Sequence, residues 1–151
     1  MARGQRSFTQ NGANQGNFQN FTLDQTRTDS LLFMIEEEKM ARDIYDALFE
    51  QTGISTFDTI SNSEQYSYDR MLSNALKFGV DTSKLSSDIG VYANTDIQAL
   101  YDQLLVQVSA STVDTDITDL QNTIDSALIT LIGQVQINCS ANQLSGFQSI
   151  A

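Results

Sequence analysis

The chain has 151 residues, a formal net charge of −11 and no histidine. That charge excludes a nucleic-acid surface or an anionic membrane surface, because nothing here would neutralise an array of phosphates. Hydrophobic residues make up 40% of the sequence, enough for one domain with a buried core.

The charge is unevenly placed. All eight basic residues lie between Arg3 and Lys84. The segment from Leu85 to Ala151 has none, yet it carries Asp88, Asp96, Asp102, Asp114, Asp116, Asp119 and Asp125. No apolar run is long enough to span a bilayer, the longest being Leu31 to Ile35. The opening residues have basic character with no apolar core after them, so no signal peptide is visible, which leans toward the cytoplasm. Low lysine, the absence of histidine and sequon matches at Asn20 and Asn138 lean toward the cell surface, the favoured expectation. Cys139 is alone, so a buried thiol is expected rather than a disulfide.

Residues 1–22 form a separate block, rich in Gln, Asn and Gly, with Phe8, Phe18 and Phe21 set into it. It has neither helical nor strand periodicity and reads as an extended arm. Its three phenylalanines are candidate anchors on a neighbouring subunit. Residues 23–151 read as helices.

The first helix is expected to start at an Asp29 or Ser30 cap and stop at Gly53, with Leu31, Met34, Ala41, Tyr45 and Leu48 along one stripe. A second, capped by Ser55 or Thr56, runs from Phe57 to about Phe78 and ends at Gly79. Its shared face holds Ile60, Glu64, Ser67, Met71 and Ala75. A loop follows, and then Asn94 or Thr95 caps a third helix. That helix's apolar set is Ile97, Leu100, Tyr101, Leu104, Leu105 and Val108. From Val113 onward the helical period continues through Ile117, Leu120, Ile124, Leu128 and Leu131. A second stripe of Ile132, Gln136, Cys139, Gln143, Phe147 and Ile150 follows, in one helix or two, with Gly133 as the weak point. There is no proline and no strand alternation, so the pattern supports an all-α bundle.

The chemistry concentrates on the first helix. Glu38 falls within the buried stripe and Glu37 beside it, while Glu36 is expected to face solvent. Glu64 lies on the inner face of the second helix. Inward carboxylates need a cation, a donor or a proton. Lys39 and Arg42, with the hydroxyls of Tyr45, Tyr66 and Tyr68, are on hand to satisfy them without metal.

The stretches "MIEEEKMARDIYDALFEQTG", "FDTISNSEQYSYDRMLSNAL", "GVYANTDIQALYDQLL" and "DITDL" resemble a bacterial and archaeal ferritin-like family of unknown function. Its recurring text is M-x-E-E-E-K-x-A-R-D-x-Y, S-E-Q-x-H-M and L-Y-D-x-L, and the match spans roughly Leu31 to Leu120. The resemblance implies a ferritin-like four-helix bundle whose helices donate Glu and Glu-x-x-His ligands to two iron or manganese ions. Carried over residue by residue, the implied ligand positions are Glu37, Glu38, Glu64 and Asp114. Two histidine positions are degenerate, as Ser67 and Gln143. Hydroxyl and amide oxygens are poor replacements for imidazole at a transition metal.

Without histidine the commonest nucleophilic triads are absent, and no glycine pattern fits a phosphate loop. The favoured expectation is therefore a non-enzymatic structural or self-assembling subunit that has lost its di-metal centre, binds no cofactor, and forms an oligomer or polymer through the arm. One alternative is a divergent carboxylate-bridged di-iron or di-manganese protein, binding metal or acting as an oxidase. Another is an accessory subunit of a larger complex.

Overall fold

The computed structural model describes residues 22–111 and 117–148, with side chains described up to residue 133. Four helices follow one another: α1 (Gln25–Thr52), α2 (Ser55–Lys77), α3 (Thr95–Ala110) and α4 (Ile117–Gln148). No strand occurs among the described residues. Phe8, Phe18, Phe21, Asn20, Asp114, Asn138, Cys139 and Gln143, singled out from the sequence, lie outside the described side chains.

Helix ends follow local chemistry. The α1 helix starts earlier than its apolar stripe suggested. Asp24, not Asp29 or Ser30, is the N-cap, its carboxylate accepting the backbone N–H of Arg27. Asp29 instead accepts a hydrogen bond from Gln25 inside the first turns. At the other end the helix stops at Gly53, whose φ of 70° is open to glycine at little cost. Ile54, not Ser55 or Thr56, is the N-cap of α2 and makes no side-chain cap bond. For α3, Asn94 is the cap as its position predicts, accepting from the N–H groups of Asp96 and Ile97. Gly133 does not break α4, which is one helix from Ile117 to Gln148. A lone glycine in a helix interior costs only about 1 kcal/mol.

Helix α1 packs against each of the other three, while α2, α3 and α4 have little contact with one another among the described residues. Placed in the middle, α1 is enclosed on every side. Ile35, Glu36, Glu37, Lys39, Met40, Ala41, Asp43, Ile44 and Tyr45 are all buried, a set that no single helical stripe contains. Met40, Ile44, Tyr45 and Leu48 meet Phe57 of α2, Ile97, Tyr101, Leu104 and Val108 of α3, and Leu120 and Ile124 of α4 in the main core. A smaller cluster joins Ile35 to Ala75 and Val80. The enclosure of α1 forces its charged residues inside as well as its apolar ones, and this creates the site.

Candidate functional site

The acidic run of α1 divides into residues with different partners. Glu36 is only 5% exposed, contrary to the expectation that it faces solvent. Its carboxylate accepts the backbone N–H of Ala93 and, at 2.9 Å, that of Asn94. It thereby satisfies free donors just ahead of α3 and places a negative charge near that helix's positive end.

Lys39 and Arg42 do not serve the glutamates either. The Lys39 ammonium, 2% exposed, lies 3.2 Å from Asp43 Oδ2 and donates to the carbonyls of Asp88 and Val91. It also sits 4.2 Å from the centre of the Tyr92 ring. Arg42 forks onto Asp43 Oδ1 through Nε at 2.9 Å and Nη2 at 2.6 Å. The other oxygen of Asp43 accepts from Tyr92 Oη at 2.6 Å and Gly90 N at 3.0 Å. Burial alone would raise the Asp43 carboxyl. The bonds from Tyr92, Gly90 and Arg42 and the Lys39 charge outweigh it and hold the carboxyl below its ordinary range. Burial and the Asp43 bond push the Tyr92 hydroxyl up. Gly90 fits here because its φ is 73° and a Cβ would come within 2.9 Å of the Tyr101 ring. This network clamps the α2–α3 loop onto α1.

Glu37, Glu38 and Glu64 are left as a group of carboxylates. Glu37 is 4% exposed. Its carboxyl is raised from 4.5 to about 7, first by burial and then by the charge of Glu64. Glu38, half-buried, is raised to about 8 by burial, by a hydrogen bond with Glu64, and by the charges of Glu37 and Glu64. Burial and its acidic neighbours therefore favour the protonated form of Glu38. The ion pairs among the described residues are Arg27–Asp24, Lys39–Asp43 and Arg42–Asp43, so no cation neutralises this group. Ser67 follows Glu64 by one turn and is half-buried.

Two further groups border the cluster. Tyr45 Oη donates to Asp125 Oδ1 of α4 at 2.6 Å. Burial, that bond, and the charges of Asp125 and Glu64 all push the phenol up. Asp125 was not among the residues the sequence suggested. The available signal was its position next to Ile124 in the apolar stripe of α4, opposite a buried tyrosine that needs an acceptor. Lower on the α1–α2 interface, Ser61 donates to Asp46, and Arg42 Nη1 donates to Gln65 Oε1 at 2.8 Å. Tyr66 and Tyr68, the other hydroxyls expected near the glutamates, instead lie under the guanidinium groups of Arg70 and Arg42. Among the described residues, no three or more His, Cys, Asp or Glu side chains are arranged to hold one metal ion.

The family pattern described as an uncharacterized protein domain (DUF2202) matches residues 27–144. The chain belongs to the DUF2202 family. The match takes in the buried acidic run of α1, the Asp43 clamp, α2, α3 and most of α4. The chain is also similar to "Uncharacterized protein MJ0754" of Methanocaldococcus jannaschii. The two are 28% identical over 138 residues, which cover 83% of this chain and 75% of that protein. No solved structure matches. No helix described is long and apolar enough to cross a membrane.

Proposed function

We propose that this DUF2202 chain is a non-enzymatic structural or self-assembling subunit, built on a ferritin-like bundle whose di-metal centre has been lost. The observation that carries the reading is the state of the implied ligand positions. The chain has no histidine, and Ser67 stands where the resemblance expects one. The nearest cations are committed to Asp43. A ligand must give up its proton to bind a metal, and a serine hydroxyl is a weak donor to iron or manganese. Assembly is supported by the exposed apolar side chains Leu76, Ile89, Val106 and Ile129 on an otherwise acidic surface.

A second reading, a carboxylate-only metal protein, is favoured by one observation: Glu37, Glu38 and Glu64 converge without a cation. Metal analysis of protein purified without chelators, together with sedimentation velocity, separates the two. An assembly of several chains with negligible metal is the expected result. Stoichiometric iron or manganese, lost on Glu38→Ala or Glu64→Ala, would overturn it.

A further inference from the structure

We propose that the groove between α3 and α4 receives the aromatic arm, residues 1–21, of a second copy of this chain. The proposal rests on the self-assembly reading and names the surface that assembly would use. Because α3 and α4 are held by α1 and hardly by each other, a trough of about 470 Å³ runs between them. Ala99, Ala127 and Thr130 keep its walls low, and Leu100 and Leu131 supply apolar lining. Its volume falls in the range of about 300–1,000 Å³ found for small-molecule clefts.

Among the described residues, Val106 of α3 is one of the most exposed apolar side chains, at 70%. Val106 lies seven residues after Ala99 and three after Gln103, so it flanks the α3 wall of the trough one turn further on. Val106 thereby extends the apolar face beside the trough.

Charge selects the occupant. Residues 1–21 carry Arg3 and Arg6 and none of the nineteen acidic residues. The groove belongs to the part of the chain without any Lys or Arg, and Asp96 stands on its rim. A basic segment bearing Phe8, Phe18 and Phe21 complements an acidic-rimmed apolar trough in both respects.

The test uses full-length chains carrying Cys139→Ser. Gln19→Cys, between two arm phenylalanines, is mixed with a second chain bearing Ala99→Cys in the groove wall, and the mixture is oxidised. A disulfide-linked dimer is expected, lost when Phe8, Phe18 and Phe21 of the first chain are changed to Ser, and absent when Ser63→Cys on exposed α2 replaces the groove cysteine. Equal linking to position 63 would overturn the proposal. So would linking only when both cysteines are on one chain, which would mean that the arm fills its own groove. Sedimentation of the unmodified protein separates the two levels. Oligomers without arm-to-groove linking would sink the docking site and leave self-assembly standing, whereas a monomer at all concentrations would sink both.

Discussion

Raising the pH from about 5 to about 9 is expected to weaken the fold, because Glu37 and Glu38 must then ionise where burial opposes charge. The sign follows from proton binding. Folding raises both carboxyls above their ordinary 4.5, to about 7 and about 8, so the folded chain binds protons more tightly than the unfolded one. Their contribution to stability is then greatest below about 4.5 and falls as the pH climbs through the folded values. At about 1.4 kcal/mol per pH unit, Glu37 accounts for a loss of roughly 3 kcal/mol. Glu38 is partly open to water, and screening reduces its share to about 1–2 kcal/mol. The two share Glu64 as a neighbour, so their shares do not simply add. A combined loss of about 3–4 kcal/mol is a large fraction of a typical domain stability of about 5–15 kcal/mol. Urea unfolding followed by circular dichroism at several pH values measures it. Glu37→Gln should remove most of the slope, while Glu50→Gln at an exposed position should not. A stability that stays flat or rises over this range, or a Glu37→Gln variant with the full slope, would refute the reasoning.

Three other outcomes follow from the contacts of α1. Asp43→Ala leaves the buried Lys39 without its carboxylate and frees Gly90, Arg42 and Tyr92, so it should cost about 3–5 kcal/mol in urea unfolding. Glu36→Ala strands the N–H groups of Ala93 and Asn94; a loss of about 1–3 kcal/mol is expected, with the fastest new amide exchange at the start of α3. Tyr45→Phe deprives Asp125 of its donor and should cost about 1–2 kcal/mol, read as a lower urea midpoint with an unchanged slope.

Much of the helical layout was legible in the sequence. Gly53 and Gly79 marked stops, Asn94 marked a cap, and the apolar set of α3 matches the face that is buried. The acidic run stood out in the sequence, but its division of partners did not. Stripe reasoning assumed that α1 has one wet side, and so sent Glu36 to solvent and gave Lys39 and Arg42 to the glutamates. Asp125 was hidden for a related reason, since its partner Tyr45 lies eighty positions away in the chain.

What the sequence by itself determined was broadly where the helices form, because helical period and capping are local properties. Only the tertiary structure decided how many neighbours α1 would have. With three helices and the α2–α3 loop around it, the middle turns of α1 keep little surface open to water. The charged groups there either found a partner or were pushed toward their neutral form: Glu36 met the backbone ahead of α3, Lys39 and Arg42 the carboxylate of Asp43, and Glu37 and Glu38 had their carboxyls raised by burial. Burial forces one or the other, and burial depends on distant segments that no local pattern contains.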